Sequence, residues 1–321
     1  MNAITSPVLE REWEASFLPS AQTLRQWTAP GTILAVTNFA DEEILLFHAI
    51  RQARRSAAKV LLVHVLQPRN ALPIARRWVH RTDAGSSAES ALVSLHRMAR
   101  QLRWVGIPCE PLLLRGLPGK EISLVVKARG VDRILMAGTC KGRARGKAAA
   151  ALVEDLLPKI SIPICTVGQH LPSALAHNQR SGHITLAISL HSDVEFPLAF
   201  ASRLAQDHQA KLTVLHVFGG EEKSRTEIER TPLAFASQLP AERLREAEML
   251  CPLEIAAPKG DPATEILKFG SCTNQDFIVL GPIGQPHSAQ PAGSIIVHRV
   301  ISEARCPVIV LGPSVGGAAH G

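Results

Sequence analysis

The sequence predicts an α/β protein of two tandem doubly wound domains, each a five-stranded parallel sheet covered by helices on both faces. Three observations carry this. A length of 321 residues is about two ordinary domains. Short apolar runs alternate with segments of helical period, which is the pattern of a parallel sheet with helical crossovers. Four landmarks recur in the same order, which means an internal duplication. Lys59-Val-Leu-Leu-Val-His64-Val returns as Lys211-Leu-Thr-Val-Leu-His216-Val, and Leu114-Arg-Gly116-Leu-Pro118 as Pro258-Lys-Gly260-Asp-Pro262. Asp132-Arg-Ile-Leu-Met-Ala-Gly138 returns as Asp276-Phe-Ile-Val-Leu-Gly281, and Ile162-Pro163-Ile-Cys165 as Cys306-Pro307-Val-Ile.

In the first copy the continuous apolar runs 32–37, 60–65, 111–114, 133–137 and 163–167 read as strands. Between them, 41–56, 87–104, 118–129 and 146–160 carry helical periodicity. In 87–104, Leu92, Leu95 and Leu102 form the apolar stripe and Arg97, Arg100 and Trp104 the other. The second copy repeats the order from Ile184 to Val310. Segments 31–168 and 183–313 are therefore the two domains, joined by a linker, 169–182, in which Gly, Gln, Ser, Asn and His replace the periodic pattern. Residues 1–30 form an N-terminal extension and 314–321 a flexible tail.

Composition excludes several classes. Apolar residues make up 46% and charged residues 20%, a globular balance. No run approaches the ~18 apolar residues of a membrane span, and the start of the chain lacks a signal-peptide core, so a soluble cytoplasmic protein is expected. The six cysteines stand singly, without metal-binding or redox spacing. Charge is uneven: 21 basic against 10 acidic residues over 31–170, but 11 against 15 over 181–321.

Ile33-Leu-Ala-Val-Thr37-Asn38-Phe39, the Leu62-Val-His64-Val65 strand, the Gly-x-Pro turn and the closing Cys-Pro-Val strand resemble the universal stress protein family in its tandem form. The resemblance implies a Rossmann-like fold of the adenine nucleotide alpha hydrolase type, with sheet order 3-2-1-4-5. It also implies pseudo-twofold pairing of the copies through their last strands. Many members of that family bind ATP without conventional turnover. They use an Asp after the first strand and a loop G-x2-G-x9-G-S/T after the fourth.

Here that pattern is damaged. The Asp position holds Asn38 in copy one, and Ala150-Ala151 stands where Gly-Ser would fall. Copy two keeps Gly281 and Gly284, then eight residues rather than nine before Gly293 and Ser294. Its Asp position falls on Ser189 or Leu190, depending on a one-residue choice of register. If copy two binds ATP, Gly281, Gly284, Gly293 and Ser294 cradle the phosphates, because glycines admit an anion and helix-start N–H groups attract it. Ser189 and Val217 then line the adenosine side. The expectation is a non-enzymatic stress-response module with at most weak ATP binding. A genuine ATP-binding, slowly hydrolysing protein is the alternative.

Lys141, Arg143, Arg145 and Lys147 form a second candidate, an anion-binding set ahead of a helix. Gly142-Arg-Ala-Arg-Gly146-Lys147-Ala148 has too few residues between its glycines, and no Ser/Thr after the Lys, for a Walker A loop. His64 and His216 occupy matching strand ends, so a shared structural role is favoured over catalysis. No catalytic constellation or metal motif is present. Arg97, Arg100 and Trp104 fit an ordinary amphipathic helix better than a nucleic-acid surface. Two partner readings of the charge asymmetry stay open: docking of basic copy on acidic copy in a homodimer, or capture of a polyanion or unknown protein partner by the basic copy, with Arg76 and Arg77 contributing.

Overall fold

The computed structural model describes residues 20–67, 88–137, 143–167, 182–190, 193–219, 231–271, 275–282 and 292–312. The N-terminal half comprises α1 (Ala21–Thr28), β1 (Thr32–Val36), α2 (Glu42–Ser56), β2 (Lys59–Leu66) and α3 (Ala88–Trp104). It continues with β3 (Cys109–Arg115), α4 (Pro118–Arg129), β4 (Arg133–Ala137), α5 (Arg143–Leu156) and β5 (Ile164–Val167). The second half opens with β6 (Gly182–Ala187), α6 (Glu195–His208), β7 (Ala210–Leu215), α7 (Pro232–Ala236) and α8 (Ala241–Leu250). It closes with β8 (Leu253–Ala256), α9 (Pro262–Phe269), β9 (Gln275–Leu280), α10 (Ala292–Glu303) and β10 (Val308–Val310).

Local chemistry sets these boundaries. Acidic Glu42 and Glu43 open α2 and Arg54 and Arg55 close it, both favourable to the helix dipole. Pro118 starts α4, where a missing N–H costs nothing, and left-handed Gly130 ends it. α5 begins at Arg143, ahead of the expected 146, because Arg, Ala and Lys are strong helix formers.

Among the described residues the strands form one sheet of ten, ordered β3-β2-β1-β4-β5-β10-β9-β6-β7-β8, so each half has the order 3-2-1-4-5. Every neighbouring pair is parallel except β5 with β10, where Ile164, Cys165 and Thr166 face Val310, Ile309 and Val308 in antiparallel register. The expected intramolecular pairing is thus present, and it merges two sheets into one. The Thr166 hydroxyl donates to the Val308 carbonyl at 3.4 Å across this seam. Above it α5 packs on α10, and Glu154 meets His298 Nε2 at 2.7 Å.

Alternation along the strands builds a core on each face. Ile33 and Ala35 join one layer while Leu34 and Val36 join the other, and each layer contains residues of both copies. Hydrophobic burial is therefore continuous across the seam. α1, in the segment read from sequence only as an extension, packs on α6 of the second copy. Its anchor is Trp27, whose ring meets Phe196 edge-on at 5.5 Å. Among the described residues no helix is long and apolar enough to cross a membrane.

Candidate functional site

In a doubly wound sheet the ligand crevice lies beyond the C-terminal strand ends. The two copies build that region from the same parts. Gly116 and Gly260 adopt φ of +147° and +151°, conformations open chiefly to glycine. Their N–H groups donate to the carbonyls of Leu66 at 3.0 Å and Phe218 at 3.1 Å. A second shared device is the histidine at the end of the second strand of each copy. His64 Nδ1–H donates to the Thr37 carbonyl at 2.8 Å, and His216 Nδ1–H to the Ile188 carbonyl at 3.1 Å. Burial lowers the His64 pKa, more than the bond to Thr37 raises it, so this imidazole is neutral at pH 7. Both histidines tie one strand end to the next, which is the structural role their equivalence predicts.

The copies differ at the adjoining turn. Thr37 N donates to Val63 O at 2.8 Å, and Ile188 N to Leu215 O at 3.0 Å, so Ser189 is the counterpart of Asn38. This decides the register in favour of Ser189 over Leu190. In copy one Asn38 Oδ1 accepts from Ala40 N at 3.1 Å, and Thr37 Oγ1 accepts from Phe39 N at 2.9 Å. Phe39 is left-handed, with φ of +66°, and its ring lies 4.3 Å from that of His64. Asn38 is thereby committed to its own turn.

Copy two instead holds a cleft of about 130 Å³ lined by Ser189, His216 and Val217 together with Ile188, Ile266 and Ile296. Its walls are almost wholly apolar, suited to a flat heterocycle. Gly281 follows β9, and a side-chain carbon there would stand 3.2 Å from Ile188 Cγ2, so glycine keeps this wall unstrained. Gly293 and Ser294 lie in the first turn of α10, the helix that brings Ile296 to the cleft. Unpaired N–H groups of that turn are the physical basis for anion attraction. Gly284 and Lys141 lie outside the described residues, as do Arg76 and Arg77. Arg143, Arg145 and Lys147 belong to the opening turns of α5 rather than to a loop ahead of it.

At the start of α9, beside the cleft-lining Pro262, Asp261 caps the helix. Its Oδ2 accepts from Thr264 N at 2.9 Å and from the Thr264 hydroxyl at 2.5 Å, and meets Arg299 Nη1 at 2.5 Å. The Thr264 bonds, then Arg299, hold the carboxyl below its usual range. Asp261→Ala is expected to cost about 1 kcal/mol at pH 7 in urea unfolding, within the roughly 0.5–2 of a lost cap. A depressed folded pKa stabilises above the unfolded value near ~4 and is lost as pH falls through the folded one. The mutant and parent curves should therefore converge in acid.

On the edge helix α3, Leu95 and Leu102 are buried as expected, but Leu92 is 41% exposed, so the apolar stripe passes instead through Ala91, Met98 and Ala99. Arg97 pairs with Glu42 at 2.5 Å. Among the described residues no three His, Cys, Asp or Glu side chains are grouped to hold a metal.

Fold and cleft together define a tandem pair of doubly wound α/β domains sharing one sheet. The model of the universal stress protein family matches residues 31–165 and again 181–312, and the chain belongs to that family in two-copy form. Among solved structures, a universal stress protein from Archaeoglobus fulgidus is 16% identical, with TM-score 0.63, over 89% of this chain and 98% of that one. A protein of unknown function from Pseudomonas aeruginosa is 17% identical, with TM-score 0.59, over 91% and 96% of the respective chains. A third, described as a putative universal stress protein from Pseudomonas aeruginosa, is 17% identical, with TM-score 0.56, over 90% and 96%. No curated protein matches the chain.

Proposed function

We propose that this chain is a non-enzymatic, cytoplasmic stress-response module whose second copy alone holds an adenine nucleotide, and holds it weakly. The observation that carries this reading is the apolar cleft at Ser189 and Val217, flanked by the first turn of α10. Apolar walls favour the base and the helix start favours phosphate. Ser189 supplies a hydroxyl where the family's binding members have a carboxylate, so one charge-assisted bond to the adenosine is absent. The lack of a nucleophile elbow and the tethering of both strand-end histidines support a binding role over turnover.

A lost charge-assisted hydrogen bond is worth about 1.5–3 kcal/mol, or roughly ten- to a hundredfold in affinity. Calorimetric titration with ATP should give weak binding, and Ser189→Asp should tighten it by at least about tenfold. Mass spectrometry of ligand released from purified protein is the complementary measurement. Stoichiometric ATP would overturn weak binding. No heat at millimolar ATP in either variant would overturn nucleotide binding altogether.

A further inference from the structure

At the other end of the sheet, by the N-terminal ends of β4 and β9, a cavity of about 190 Å³ lies between the two copies. It is lined by His48, Gln52 and Arg55 of α2, Arg133 at the start of β4, and His208 at the end of α6. Arg133 is 1% exposed. Its Nη1 donates to Gln52 Oε1 at 3.0 Å and its Nη2 to the carbonyls of Trp27 and Thr28, but its Nε has no partner. His48, 2% exposed, leaves Nε2 without a partner, and His208 does the same with Nδ1.

Among the described residues no carboxylate forms an ion pair with this buried guanidinium. The acidic groups nearby are otherwise engaged: Asp132 Oδ2 accepts from Gly31 N at 2.9 Å and Thr32 N at 2.8 Å, Asp276 pairs with Arg51 at 2.6 Å, and the carboxylate of Asp207, itself a cavity-lining residue, faces Arg203 at 3.6 Å. Buried charges are ordinarily paired, and buried polar atoms ordinarily bonded. Three side chains that line one cavity each keep a nitrogen without a partner, and one of them is a buried cation, which leaves room for one missing acceptor.

The fold does not demand these polar residues. Aligning the left-handed C-caps Ala57 and Gln209 makes Phe200 the counterpart of His48 and Leu204 that of Gln52. The Asp132 and Asp276 landmarks make Phe277 the counterpart of Arg133. All three second-copy residues are buried hydrocarbon, 0%, 0% and 4% exposed. Burial and the neighbouring Arg51 bring the His48 pKa down to about 4, and burial with Arg55, Arg133 and Arg51 lowers that of His208 further. Both rings are thus neutral near pH 7, each with one N–H to offer.

We propose that this cavity binds a small oxyanion, of the size of phosphate or a short carboxylate, between the Arg133 guanidinium and the open imidazole nitrogens of His48 and His208. The site is separate from the cleft at Ser189 and does not depend on nucleotide binding there. The test is a ¹H–¹⁵N titration that follows the arginine Nε–H resonances, using sodium phosphate in one arm and sodium acetate in the other, against sodium chloride at matched ionic strength.

One Nε–H resonance, missing from Arg133→Lys, should shift and saturate in at least one arm, and which arm responds identifies the oxyanion class. Arg133→Lys keeps the charge but loses the planar fork, and, followed through the Nε–H of the cavity-lining Arg55, should weaken binding by at least about tenfold. His208→Phe, at the cavity edge, tests the site should Arg133→Lys fail to fold, and should weaken binding as well. An unshifted Arg133 Nε–H in both arms would overturn the proposal. Variants that titrate like the parent would overturn it too, by moving binding elsewhere.

Discussion

Val310→Pro is expected to cost about 2–4 kcal/mol, roughly 1 for the lost hydrogen bond and about 1–3 for the buried carbonyl left without a donor, and to part the two halves of the molecule. Leu311 N donates to Leu280 O at 3.0 Å, toward β9. Because N–H direction alternates along a strand, Val310 N–H points the other way, toward Ile164 of β5. Proline there removes a bond of the one antiparallel pairing among the described residues, in a strand with neighbours on both sides and no edge to relieve the clash. The seam is three residue pairs long, so losing one is felt by all. Urea unfolding followed by circular dichroism should show a lower midpoint. Limited proteolysis should run faster than in the parent. A midpoint equal to that of the parent would show that helix packing of α5 on α10 suffices without the strand seam.

The second large effect is expected at Phe196→Ala. Phe196 is 1% exposed and bridges Trp27 at 5.5 Å to Phe200 at 6.2 Å. Truncating a buried phenylalanine costs about 3–5 kcal/mol, the range reflecting how far the hole collapses. Here the hole opens beneath α1, a helix of only 8 residues that cannot persist by itself. Hydrogen exchange over Ala21–Thr28 should therefore rise more than exchange in β7 or β9. Uniform loosening of the whole domain would show that α1 is held by something other than this ring pair.

Some of this was legible in the sequence because punctuation residues marked it. Pro118 and Gly130 bracket a helix that folds over the span read from periodicity, and 133–137 emerges as β4 without change. The shared seam was expected too, as what the family resemblance implies for the last strands of the two copies. α1 was not: Ala-Gln-Thr-Leu-Arg-Gln-Trp-Thr is short and polar, and its stability comes from a contact with residues far along the chain. The place of the cleft was what the family resemblance implied, but its one-residue register was not legible, since only strand pairing makes Ser189 the counterpart of Asn38. Arg133 was least legible. A basic residue before an apolar run reads as the solvated border of a strand. Its hydrogen-bond partners lie 81, 105 and 106 residues away.

Joining β5 and β10 within one polypeptide frees the pairing from mass action. Two separate copies would dissociate on dilution, whereas here the partner is always present at the effective concentration its tether sets. It also frees the pairing from symmetry. In a homodimer each residue near the twofold axis appears twice, so an arginine facing the interface must be accommodated opposite its own image. A duplicated chain can set Arg133 in one half against Phe277 in the other, and can place Asn38 in one crevice where the other has Ser189. Covalent tandem repetition thus allows a molecule with twofold architecture to hold two different pieces of chemistry.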